Sequence, residues 1–304
     1  MARRELGAAA LQVSRAVARM WPGGRVVVGV SGGADSLALA AGAEWCARRQ
    51  GGEVLAVIVD HGLQPGSDEV SARVAQQLLD RGIPTTVRPV RVAGAGGVEA
   101  AARRARLAAL ESFGSPVLLG HTLDDQAEQV FLGLLRGSGL RSLAGIPERR
   151  GVFLRPLLGI RRATTLAAVA QWGLQAWEDP MNSDERFRRV QVRGWLADFE
   201  RALGRDVRAN LARTAQLARA DADLLDELAG PPPVGEPLPL SRLDCHPALR
   251  ERRIKAWLSA NGCRPTQVHV SEVARLVSAW RGQGPIDVPG GRVRRSGAGL
   301  ELLG

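Results

Sequence analysis

Three polar clusters in this chain combine residue types that can manage a charged, phosphorylated substrate. "SGGADS" (31–36) supplies two adjacent glycines, two hydroxyls and a carboxylate. Gly32 and Gly33 permit a tight turn whose backbone N–H groups approach a phosphate closely, and Ser31 and Ser36 add donors. A helix opening near Asp35 would present its positive end to the same anion. The stretch is not a Walker loop, which needs Gly-Lys-Ser/Thr, and the whole chain holds one lysine, Lys255. Nor is it a GxGxxG fingerprint. An ordinary strand-to-helix turn with Asp35 as N-cap accounts for the same residues, so the meaning of a carboxylate beside an anion stays open at this level.

The second cluster is "DHGLQPGS" (60–67), led by Asp60 and His61, and the third is "GHTLDDQAE" (120–128). In the third, Asp125 and Glu128 are spaced i and i+3 and share a helix face. Acids at a helix start complement its dipole without further purpose. A functional reading requires a cation, either Mg²⁺ or a substrate amine. His121 is a base or a cap on the strand end. Arg103 and Arg106 lie on one face of a helical stretch, and Arg136 and Arg141 sit in the glycine-interrupted run 134–147, whose composition suggests mobility and an anionic partner.

These clusters need a scaffold, and the hydrophobic pattern supplies one. "RVVVGV" (25–30), "EVLAVIVD" (53–60), "PTTVRPV" (84–90) and "PVLLGH" (116–121) read as strands separated by helical stretches. Nearly continuous apolar strands alternating with helices predict an α/β fold with a doubly wound parallel sheet. Each polar cluster directly follows a strand, and ligands of open parallel sheets sit outside the carboxyl ends of the strands. From about residue 188 the strand signal fades into successive helices. Residues 230–240, "GPPPVGEPLPL", read as a turn or linker, and two weak strands, "PIDVPG" and "GRVRRSG", follow near the end. The expected division is 1–215 for the catalytic domain and 216–304 for a small, mostly helical C-terminal domain.

A formal net charge of +10, almost all from arginine, points to an acidic partner, with nucleic acid foremost. A merely basic surface is the alternative. Cys46, Cys245 and Cys263 are odd in number and lack a CxxC pair, which argues against a disulfide framework or a zinc knuckle. The N-terminal stretch is interrupted by Glu5, Arg15 and Arg19 and reads as an amphipathic helix instead of a secretory signal. No apolar run is long enough for a bilayer. A soluble, cytoplasmic protein with no membrane partner is expected.

Taken together, "SGGADS", "VDHGLQPGS", "GHTLDDQAEQVFLGLLRGSGLRSLAGI", "LRPLL" (154–158) and "WEDPMNSDERFRRVQVR" (177–193) resemble the tRNA(Ile)-lysidine synthetase family of PP-loop (N-type) ATP pyrophosphatases, in its short form. The resemblance covers roughly residues 25–195. It implies an adenine nucleotide α-hydrolase-like fold and a two-step reaction on the wobble cytidine of an isoleucine tRNA with a CAU anticodon. ATP adenylates the C2 oxygen, releasing pyrophosphate; L-lysine then attacks C2, releasing AMP and leaving lysidine.

By the same resemblance Ser31, Gly32, Gly33, Ala34, Asp35, Ser36, Asp60, His61, Arg103 and Arg106 would hold the nucleotide. Asp35 would act through Mg²⁺. Asp125 and Glu128 would recognise the lysine, and Arg136, Arg141, Arg189 and Arg193 would contact tRNA. A homodimer is left open. The chain departs from the family pattern at Gly120, where many members carry histidine, at Leu107 in place of tyrosine, and at Val190 and Gln191. Two rivals remain: another PP-loop enzyme of tRNA 2-thiolation type, which would rely on paired cysteines, and a non-catalytic nucleotide- and RNA-binding protein.

Overall fold

The computed structural model describes residues 6–62, 66–92, 97–179 and 186–303. It divides into two compact units, Met1–Gln216 and Leu217–Gly304.

The first unit is built on a six-stranded sheet. Its strands are β1 (Arg25–Val30), β2 (Glu53–Asp60), β3 (Thr85–Pro89), β4 (Val117–Leu119), β5 (Arg149–Arg150) and β6 (Phe153–Leu154), in the order β3-β2-β1-β4-β6-β5. The pairings are parallel from β3 through to β6, and only the short β5–β6 hairpin is antiparallel. Alternation along the strands assigns the two faces. Val26, Val28 and Val30 of β1 and Val54, Ala56 and Ile58 of β2 join one core. That core also takes in α1 (Ala8–Arg19), α2 (Ala34–Gln50), α3 (Ser67–Asp80) and α7 (Arg162–Gln171). Val27, Leu55, Val57 and Val59 face the opposite way, against Leu107 and Leu110 of α4 (Val98–Glu111). Both faces are therefore covered, as the apolar strands predict.

The chain leaves β1 outward through β2 and β3, then crosses back to place β4 on the other side of β1. That reversal opens a crevice at the carboxyl ends of β1 and β4. Residues entering it come from α2, α4, α5 (Leu123–Leu135), α7 and α8 (Arg188–Leu203). The stretch 134–147, glycine-interrupted as it is, carries regular structure. It contains α6 (Leu140–Leu143), and Gln126 ties it to α5 by accepting from the Ile146 N–H at 2.6 Å and donating to the Ile146 carbonyl at 3.2 Å.

In the second unit, helices α11 (Pro247–Ala260) and α12 (Gln267–Ser278) and the short α10 (Leu240–Leu243) pack with an antiparallel sheet. The sheet order is β7-β10-β9-β8, from β7 (Leu238–Pro239), β8 (Ile286–Val288), β9 (Gly291–Arg295) and β10 (Gly299–Leu303). Two of these strands were legible as weak β segments; β7 and β10 were not. The proline-rich stretch 230–240 is no free linker. Trp257 Nε1 donates to the Glu236 carbonyl at 2.9 Å, and Asn261 binds the Pro233 carbonyl and the Gly235 N–H. The division between units falls inside α9 (Val207–Ala229).

Candidate active site

The glycine turn after β1 is fixed by its own hydroxyls. Ser36 Oγ accepts from the Ser31 N–H at 3.1 Å and donates to the Gly33 carbonyl at 2.8 Å. Gly32 has φ +86, where a side chain is disfavoured, and a Cβ there would lie 2.8 Å from Val74. Its carbonyl accepts from the Trp177 N–H at 3.0 Å. The N-cap of α2 is Gly33, so Asp35 is not the cap and its carboxylate is free for other partners.

Those partners were not visible in the sequence. Thr165 Oγ1 donates to Asp35 Oδ1, and Arg162 Nε donates to Asp35 Oδ2 at 3.2 Å. The same guanidinium reaches Asp125 Oδ1 from Nη2 at 2.8 Å and Glu128 Oε1 from Nη1 at 3.4 Å. One arginine at the start of α7 thus joins the turn after β1 to the acids after β4. Asp124 fixes that start by accepting the Arg162 backbone N–H at 2.8 Å.

The three acids differ in what they have left to offer. Asp125 closes a capping box on α5, accepting the Thr122 N–H at 2.7 Å and the Thr122 hydroxyl at 2.9 Å on Oδ2. With Arg162 on Oδ1, both its oxygens are taken. Burial pushes its carboxyl up, but Arg162, Thr122 and His121 outweigh that and hold it below the usual carboxylate range. Burial dominates at Asp35 and raises it, against the Thr165 hydroxyl and Arg162. Glu128, fully buried, accepts Arg193 Nε at 3.0 Å and Arg162 on Oε1, while its Oε2 is buried and unpartnered. A buried carboxylate oxygen with no donor is costly.

These groups line a cavity of about 650 Å³ with Ser31, Gly33, Ala34, Ser36, Gly120, His121, Arg106, Trp177, Arg189 and Arg193. His121 does not cap the strand; its Nδ1 is buried without a partner, and burial holds the imidazole neutral well below its usual range. Arg106 Nε is likewise buried and unpartnered. Arg189 Nη2 donates to Gln129 at 3.1 Å.

Other expected site residues stand outside the cavity wall. Asp60 closes a local turn by accepting the Gly62 N–H at 3.0 Å, and His61 lies beside it, its charge disfavoured by burial and by Arg106. Gly32, within the turn, is not among the residues lining the cavity. Arg103, Arg136 and Arg141 are exposed on α4, at the end of α5 and on α6. Of the family-like stretch 177–193, residues 180–185 lie outside the described residues. Gly120 sits close to the glycine turn: a Cβ there would lie 3.0–3.2 Å from the backbone of Asp35 and Ser36, so a side chain would require a small shift of that backbone.

Among the described residues no group of three acidic, histidine or cysteine side chains forms a metal cage. Mg²⁺ on a nucleotide takes most of its ligands from phosphate and water and needs only one or two carboxylates; Asp35, on the glycine turn, would supply one only on giving up Thr165 or Arg162, which hold its two oxygens. No cysteine is among the described residues lining the cavity. Cys46 is buried within α2, its thiol pushed up to about 12 by burial. No helix among the described residues is long and apolar enough to cross a membrane.

A family profile described as a PP-loop domain matches residues 9–199, and one described as a TilS substrate binding domain matches 238–300. The chain is 47% identical over 306 residues to the tRNA(Ile)-lysidine synthase of Cutibacterium acnes, covering 96% of both sequences. It is 48% identical over 296 residues to that of Mycolicibacterium paratuberculosis, covering 90% of this chain and 89% of the relative. Among solved structures it is similar to the U34-tRNA thiolase NcsA of Methanococcus maripaludis. There the TM-score is 0.57 at 17% identity, over 69% of this chain and 80% of that one, a likeness of fold. With near-half identity over nearly its whole length, the chain belongs to the tRNA(Ile)-lysidine synthase family.

Proposed function

We propose that this chain uses ATP to join L-lysine to C2 of the wobble cytidine of a CAU-anticodon isoleucine tRNA, by way of an adenylated base. Family membership carries the ATP-dependent formation of lysidine on tRNA(Ile). The observation that supports one continuous site is the Arg162 hub, which places Asp35 of the glycine turn and the acids Asp125 and Glu128 on a single guanidinium.

The division of labour follows from the geometry. Backbone N–H groups at the start of α2, with Ser31 and Ser36, would cradle the phosphates. Asp35 would hold Mg²⁺, which when bound neutralises charge on the departing pyrophosphate. Cytosine's C2 oxygen is a poor leaving group until it carries AMP, so adenylation must precede attack. The attacking amine must also lose its charge. Glu128 Oε2, buried and without a donor, is the oxygen we assign to receive the ammonium and then its proton; Asp125, with both oxygens satisfied and its carboxyl held low, would position the amine. Arg189 and Arg193 in the cavity wall would meet the anticodon, with Arg136 and Arg141 on the surface beyond, and the C-terminal unit would contact the tRNA body.

The thiolation alternative has no support in the cavity, where no cysteine faces the glycine turn among the described residues. The test is ATP-dependent attachment of radiolabelled lysine to a CAU-anticodon isoleucine tRNA transcript. Label retained on the tRNA, with a methionine tRNA as control, is expected; ATP cleavage without label transfer would reject the assignment.

A further inference from the structure

Arg162 was absent from the sequence-derived site, yet it makes the densest set of charged contacts in the cavity. Its side chain is about a quarter exposed, against 1% for Glu128. Asp124 anchors its backbone, so its position on α7 is fixed and only the side chain can change partners. Asp125 has one oxygen it could give to a ligand, Oδ1, because Oδ2 is committed to Thr122. Arg162 occupies that oxygen. Glu128 Oε2 has no partner but is enclosed, so an incoming group does not reach it while Arg162 lies over the acids.

An alkylammonium group arriving in this state finds neither acid with a free, reachable oxygen, and meets a guanidinium of its own sign. With Arg162 gone, Asp125 Oδ1 would be released and the way to Glu128, still held by Arg193, would be uncovered. An anion strong enough to compete for the guanidinium would occupy the glycine turn, which Arg162 already touches through Asp35. Arginine's planar fork suits phosphate as well as carboxylate.

We propose that Arg162 is a resident stand-in for the substrate's ammonium, holding Asp125 and Glu128 in the free protein and passing to the nucleotide's phosphates when these fill the turn. Amine binding is thereby coupled to nucleotide binding, and the coupling is reciprocal. This rests on the reading of Asp125 and Glu128 as the amine seat. Arg162 acts here as a positioning residue, setting when the seat is open.

The experiment is equilibrium binding of L-lysine to the full chain, with and without an ATP analogue carrying a methylene between the α- and β-phosphates. Wild type should bind lysine about tenfold more tightly with the analogue. Arg162→Met should bind lysine without the analogue as tightly as wild type does with it. Arg162→Lys, which keeps a cation on the acids, should retain the weak analogue-free binding. Charge, not shape, then sets the outcome. If Arg162→Met does not fold, the wild-type and Arg162→Lys measurements decide alone. Lysine affinity in wild type indifferent to the analogue, or tighter analogue-free binding by Arg162→Lys, overturns the proposal. If wild type attaches lysine to tRNA while showing no such coupling, Arg162's role falls and the proposed function stands. If it neither binds nor attaches lysine, both fall.

Discussion

The two units use arginine with different emphasis, although the first also sends Arg81 and Arg155 to carbonyls and the second pairs Arg252, Arg292 and Arg294 with acids. In the first, Arg162, Arg193 and Arg208 meet carboxylates around the cavity, and Arg208 also holds the Arg193 carbonyl at 2.9 Å. In the second, many arginines meet backbone carbonyls. Arg253 donates to the carbonyls of Leu228, Ala229 and Arg242, and Arg242 to those of Ala229 and Pro231. Arg250 takes Leu243 and Cys245. These side chains satisfy the orphan carbonyls that helix ends and turns leave behind. A net charge of +10 is therefore not ten free hands for RNA. The charge available to a phosphate backbone in the second unit comes from exposed residues such as Arg264, Arg275 and Arg281.

The comparison breaks most sharply at Glu128. Glu128→Gln should cut lysine attachment by about 10²- to 10⁴-fold, the range for losing a proton acceptor. Release of pyrophosphate from ATP and tRNA should continue, because the glycine turn is untouched. Loss of both half-reactions together would place Glu128 in the scaffold. Asp35→Ala should do the reverse, stopping AMP formation while tRNA still binds.

A carbonyl-facing arginine should fail differently. Arg253→Ala removes donors from three carbonyls and should cost about 3 kcal/mol, lowering the melting temperature of the second unit by on the order of 10 °C. Calorimetry of the whole chain would show it. An unchanged melting curve would mean these bonds contribute nothing net.

Exposed arginines should affect neither fold nor chemistry. Arg281→Ala or Arg264→Ala should leave melting unaltered and lower the salt slope of tRNA binding by about one for each lost phosphate contact. If the slope is unmoved, that face does not grip the tRNA.

The smallest effect belongs to His121. Its folded pKa is depressed by burial, with Arg155, Arg103 and Arg106 adding to the effect against Asp125, so it stays neutral where an unfolded histidine would protonate. The stabilising contribution is complete above the unfolded value of about 6.5 and declines as pH falls below it. His121→Gln should flatten the acid limb of a stability-against-pH curve measured by urea unfolding.

What the sequence made legible was whatever local pattern encodes. The four principal strands follow from apolar runs, and three polar clusters follow from their carboxyl ends. Asp125 and Glu128 share a face because the spacing demands it, and the shared guanidinium bears this out. Arg162, Thr165 and Trp177 were not legible in that way. Thr165 and Asp35 are 130 positions apart, and no periodicity relates them. Likewise β5, β6 and β7 are two residues each, too short to carry an alternation, and β10 is visible only once β9 is beside it. Asp60 and His61 follow a strand as the pattern requires, and Asp60 accepts the Gly62 N–H in a local turn.

The most direct test of the account digests the tRNA after reaction and weighs the wobble nucleoside alongside the AMP released. One lysine-bearing cytidine should form for each AMP. A thiolated base, or AMP formed with the cytidine unchanged, would contradict it.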